Sequence, residues 1–78
     1  MAPSEIQTLL EKDRPDIQWH VDGDGYQYQV EGIGDAFEGL NAVKRQQLVY
    51  GVLNALIADG TLHAVTIRTY TPAEKSAS

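Results

Sequence analysis

Four residues, Asp22-Gly23-Asp24-Gly25, separate two stretches in which apolar and polar side chains alternate. Ile17, Trp19 and Val21 lead into them, and Tyr26, Tyr28 and Val30 lead out. Alternation places the apolar set of each stretch on one face of a strand. A turn built from residues that tolerate positive φ lets the two strands fold back on each other. The chain therefore contains a β-hairpin with one apolar face. In 78 residues, the rest of the sequence has to cover that face.

Two apolar stripes are available to do so. Ser4 with Gln7 three residues on reads as a capping box, and Ile6, Leu9 and Leu10 follow at helical spacing. Pro15 ends that helix, because the residue before proline is pushed out of the α region. Gly32, Gly34 and Asp35 release the second strand of the hairpin. The segment from Ala36 to Leu40 is irregular, with Phe37 and Leu40 tucked against the core. Asn41 is suited to cap the next helix. Val49, Val52, Leu53, Leu56 and Ile57 then form a second amphipathic stripe. Extended backwards, the stripe lands on Arg45 and Gln46. Ala42 to Gln47 therefore either form a separate short helix or lie beyond the edge of the core. Gly60 suits the left-handed position after that helix. Leu62 to Tyr70 reads as a last strand, with His63, Val65, Ile67 and Thr69 on one side. Thr71-Pro72-Ala73-Glu74 is a further capping box with proline at the first helical position. The expectation is a single α+β domain over residues 1–78, with three strands in one sheet, helices on one face and a short C-terminal helix stub. Residues 1–3 and 75–78 are expected to fray.

The residue inventory excludes much chemistry. Cysteine is absent, so there is no disulfide and no thiolate nucleophile or ligand. The serines, Ser4, Ser76 and Ser78, all lie near the ends, where nothing holds a nucleophile against a base. Asp22 and Asp24 flank a turn glycine and read as solvated turn formers rather than an acid–base pair. Gly32-x-Gly34 lacks the rest of a phosphate-cradling loop. The protein is not expected to be an enzyme. Two histidines, His20 and His63, cannot complete a metal site without other donors. The start carries no signal-peptide pattern and no stretch is long and apolar enough for a membrane span, so a cytoplasmic protein is expected. A formal charge of −5 argues against a field-driven affinity for DNA or anionic lipid over the whole surface. Lys44, Arg45 and Arg68 are the cations left for a local contact with phosphates.

Two blocks, Phe37-Glu38-Gly39-Leu40-Asn41-Ala42-Val43-Lys44-Arg45-Gln46-Gln47-Leu48-Val49-Tyr50 and His63-Ala64-Val65-Thr66-Ile67-Arg68-Thr69-Tyr70-Thr71-Pro72, resemble the signature segments of the BolA-like family. The hairpin and the opening helix resemble its shorter bacterial, YrbA-type branch. The resemblance spans nearly the whole chain. It implies a class II KH-like topology, α-β-β-α-α-β, and two roles. In the first, family members bind a monothiol (CGFS-type) glutaredoxin and share a [2Fe–2S] cluster, as in iron–sulfur trafficking or the stress response. The histidine opening the last strand, here His63, is then a ligand, and sulfur ligands come from glutaredoxin and glutathione; no cofactor is expected on the chain alone. Many relatives carry a second His or Cys ligand after the first hairpin strand. This chain has Gln27 there, and His20 is the other imidazole it offers. In the second role, family members regulate transcription by contacting DNA, which would fall to Lys44, Arg45 and Arg68. No glycine pair has the GxxG spacing that KH domains use to grip nucleic acid.

Overall fold

The computed structural model describes residues 1–77. Its elements are α1 (Pro3–Asp13), β1 (Gln18–Gly23), β2 (Gln27–Ile33), a single 3-10 turn (Asp35–Phe37), α2 (Ala42–Ala58), β3 (Ala64–Tyr70) and α3 (Pro72–Ala77). The sheet runs β1-β2-β3, with β1 and β2 antiparallel and β2 and β3 parallel. The α+β class and the three-stranded sheet are as expected. The first of the two helices implied after the hairpin is reduced to the 3-10 turn, which seats Phe37 fully inside the core.

Alternation works as the sequence implies. Trp19 and Val21 of β1, Tyr28 and Val30 of β2, and Ile67 of β3 are buried on one side of the sheet, beneath Ile6 and Leu10 of α1 and Val49 and Leu53 of α2. The opposite side carries His20, Asp22, Gln29, Thr66 and Arg68, all exposed. Gly32 is not a strand breaker but part of β2. A Cβ there would stand 2.8 Å from the Trp19 ring and 3.2 Å from the Phe37 ring, so glycine is what lets both aromatics close over the strand.

The helix ends show where local signals compete. Helix α1 starts at Pro3, one residue before the expected cap, because proline is pre-organised for the first helical position. Ala2 takes the cap position, and the Glu5 carboxylate accepts its N–H at 2.9 Å. Ser4 is thus inside the helix. Gln7, freed from capping, turns to the sheet, where its side-chain oxygen accepts the Val21 N–H at 3.1 Å. Leu9, expected in the stripe, is 40% exposed at the margin between α1 and α2. Asn41 caps α2 by accepting the Lys44 N–H at 2.9 Å.

Helix α2 is one continuous element from Ala42, which settles the two alternatives for its first turns. Its polar residues on the apolar side find partners. Gln46 donates to the Ile67 carbonyl of β3 at 3.1 Å. Arg45 donates from Nε to the Leu40 carbonyl at 2.9 Å. Gly60, at φ 82°, takes the left-handed position after α2. At α3 both arms of the capping box form: the Thr71 N–H donates to Glu74 at 2.8 Å and the Glu74 N–H to Thr71 Oγ1 at 3.2 Å. Pro3 opens α1 and Lys75 to Ala77 close α3, while Ser78 lies outside the described residues.

Candidate functional site

His63 sits immediately before β3. Leu62, beside it, is buried, and its N–H donates to the Leu56 carbonyl at 3.1 Å, which anchors the chain as it leaves α2. Alternation predicts that His63 shares a face with Val65 and Ile67. It is exposed instead, because residues 61–63 precede the strand and escape its alternation. Among the described residues neither ring nitrogen has a hydrogen-bond partner. The ring lines a surface cavity of about 370 Å³ together with Gln27, Tyr50, Ile57 and Val65.

Among the described residues the ring's one aromatic contact is with Tyr26. Their centroids are 6.1 Å apart and their planes differ by 22°, a stacked pair. Alternation groups Tyr26 with Tyr28 and Val30, yet it is 67% exposed and lies before β2. The Asp24 carboxylate accepts both the Tyr26 and the Gln27 N–H at 2.9 Å, and Gly25 has φ 93°. This tight turn lifts Tyr26 out of the alternating set. Those same two bonds hold the Asp24 carboxyl below its ordinary pKa. The turn residues carry the signal that identifies Tyr26, since an Asp-Gly step ahead of an aromatic marks it as a tip residue.

Gln27 stands opposite Ala64 in the parallel register, so it is next to His63 in space. It brings an amide, not a second imidazole, to that position. His20 does not replace it. It belongs to the row His20–Glu31–Arg68 on the open sheet face and lines a different cavity of about 220 Å³ with Asp22, Gln29 and Thr66. From Glu31 to Gln27 is four strand positions, roughly 13 Å at the usual rise of about 3.3 Å per residue. Among the described residues no three His, Cys, Asp or Glu side chains cluster to hold a metal ion. The fit to a metal cluster is therefore that of one accessible imidazole, with the remaining donors coming from elsewhere.

The three cations considered for phosphate do not converge. Arg45 is committed: two of its nitrogens meet the Glu74 carboxylate at 2.7 and 3.2 Å. That pairing, with the Thr71 N–H, pulls the Glu74 carboxyl down to about 2 and raises the Arg45 guanidinium further. Lys44 is on α2, in the helical layer, and Arg68 is on the opposite, open face of the sheet.

A family model described as BolA-like protein matches residues 5–74, which takes in the hairpin and the whole of both signature-like blocks. The chain belongs to the BolA-like family. Among curated relatives, the acid stress protein IbaG of Escherichia coli strain K12 is 47% identical over 74 residues, covering 95% of this chain and 88% of that protein. Among solved structures, a BolA protein homologue from Coxiella burnetii matches with a TM-score of 0.85 at 27% identity, covering 97% of each chain. The BolA domain of SufE1 from Arabidopsis thaliana matches with a TM-score of 0.78 at 30% identity, covering 92% of this chain and 93% of that one. This BolA-like chain has no described helix long and apolar enough to cross a membrane.

Proposed function

We propose that this BolA-like protein is a cytoplasmic adaptor that docks onto a monothiol (CGFS-type) glutaredoxin and donates the His63 imidazole to a [2Fe–2S] cluster held between the two. The single observation carrying this reading is an exposed imidazole at a surface cavity, with no hydrogen bond to its ring among the described residues. A buried, doubly bonded histidine would be a structural one. With no cysteine in the chain, thiolates have to come from glutaredoxin and glutathione. Replacement of a thiolate by imidazole raises the reduction potential of such a cluster. This chain's own contribution is to bind the partner, present the ring and cover one side of the shared site. A BolA domain found within SufE1, a differently named protein, is in keeping with a module that works beside other proteins.

The test is anaerobic reconstitution of the mixed proteins with iron, sulfide and glutathione, followed by visible circular dichroism. The mixture acquires a spectrum distinct from that of glutaredoxin alone, and His63→Ala removes the difference. A spectrum unchanged by addition of this protein defeats the reading. The regulatory alternative, promoter binding through Lys44, Arg45 and Arg68, is disfavoured by the engagement of Arg45 with Glu74.

A further inference from the structure

Metal-ligating histidines are ordinarily oriented by a hydrogen bond from the second ring nitrogen to a carboxylate or carbonyl. His63 has no such bond within the described chain. Among the described residues its one ring contact is with Tyr26, stacked at 6.1 Å between centroids, within the range of productive aromatic contacts. Tyr26 has no place in the core, being 67% exposed, so packing does not explain why a large aromatic stands there. Yet several contacts converge to fix its backbone. Asp24 holds its N–H and that of Gln27, Gly25 supplies the positive φ, and the pairing of Gln27 with Ala64 draws the hairpin tip alongside the residue before β3.

We propose that Tyr26 is a positioning residue for His63: its ring, stacked in offset against the imidazole, narrows the orientations that ring takes and leaves the ring nitrogens open to a metal. This rests on the reading of His63 as a cluster ligand. It also accounts for how a chain with Gln27 beside the histidine, and no second imidazole near it, presents a single ligand firmly. A lone imidazole on a mobile side chain loses rotamer freedom on binding, and the stack removes that loss beforehand.

The test compares Tyr26→Ala, Tyr26→Phe and His63→Ala. In the isolated protein, NMR of the His63 ring protons reads the stack directly. Tyr26→Ala moves them to the positions of an unstacked histidine, Tyr26→Phe leaves them in place, and the thermal melt stays unchanged because the tip is exposed. In the reconstituted complex with glutaredoxin, Tyr26→Ala speeds loss of the visible dichroism about tenfold, the low end of what losing an orienting partner costs a metal site, and Tyr26→Phe restores it. If His63→Ala destroys the spectrum while Tyr26→Ala neither shifts the ring protons nor hastens the loss, the positioning role is overturned and the ligand reading survives. If His63→Ala leaves the spectrum intact, the ligand reading fails and takes this inference with it.

Discussion

The Gln46 side-chain amide donates to the Ile67 carbonyl at 3.1 Å, tying the face of α2 to the outer edge of β3. On the other edge of the sheet Gln7 of α1 accepts the Val21 N–H at 3.1 Å. Val21, Val30 and Ile67 share one row of the sheet, so each end of that row is closed by a glutamine from a different helix. Edge strands otherwise offer unpaired backbone groups to other chains.

Gln46→Leu would complete the apolar stripe of α2, yet it leaves the Ile67 carbonyl without its partner. Loss of a partly buried hydrogen bond of this kind costs about 1 kcal/mol. For a domain this small that is about 4–8 °C in Tm. Calorimetry reads it. A melting point equal to or above that of the parent would show that burial of leucine outweighs the lost bond.

Glu74 sits between Arg45 and the Thr71 N–H, and its carboxyl is drawn from 4.5 down to about 2. A carboxyl whose folded pKa lies below its unfolded value stabilises the fold above the unfolded value. That contribution disappears as the pH falls from about 4.5 to about 2. Glu74→Gln keeps the shape and an acceptor for Thr71 while removing the charge. It melts below the parent at pH 7, and the gap closes as pH falls through that window. Because the Glu74 carboxylate is open to solvent, the gap at pH 7 also narrows in high salt. Melting curves from pH 7 to 2 check both trends, and a gap independent of pH would assign the effect to geometry.

Gly32→Ala places a methyl 2.8 Å from the Trp19 ring. Either the indole or the strand has to shift, and overpacking of this kind costs about 1–3 kcal/mol. Trp19 is the chain's one tryptophan, so its fluorescence reports both the displaced ring and the lower urea midpoint. An unchanged midpoint would mean that the ring moves aside freely.

Much of this architecture is legible in the sequence because its causes are local. Alternation around Asp22 to Gly25 marks the hairpin, the spacing of Val49, Leu53 and Leu56 marks α2, and Thr71 with Glu74 marks the start of α3. Sequence and structure part where two local signals compete. Ser4 with Gln7 is a sound capping box, but Pro3 and Glu5 make an earlier start, and tertiary contact with Val21 claims Gln7. Arg45 and Gln46 look misplaced on the apolar stripe because their partners, Glu74 and Ile67, lie 29 and 21 residues away in sequence. His63 stands out through family resemblance and not through periodicity, which puts it on the wrong face. Tyr26 is hidden by an alternation that the Asp24 turn interrupts.

The two histidines separate the functional readings. His63 lines the cavity beside Gln27 and Tyr50, whereas His20 shares a row with Glu31 and Arg68 on the open face. If the proposed cluster takes one imidazole from this chain, His63→Ala abolishes the glutaredoxin-dependent change in visible dichroism and His20→Ala leaves it whole. Neither variant changes stability by more than about 0.5 kcal/mol, since both rings are exposed and away from the core. Gln27→His tests the same geometry from the other direction. An imidazole there stands next to His63 across the register with Ala64, so the added ligand alters the spectrum and slows its decay. If His20→Ala proves as damaging as His63→Ala, the hairpin has to rearrange on docking to bring distant positions together.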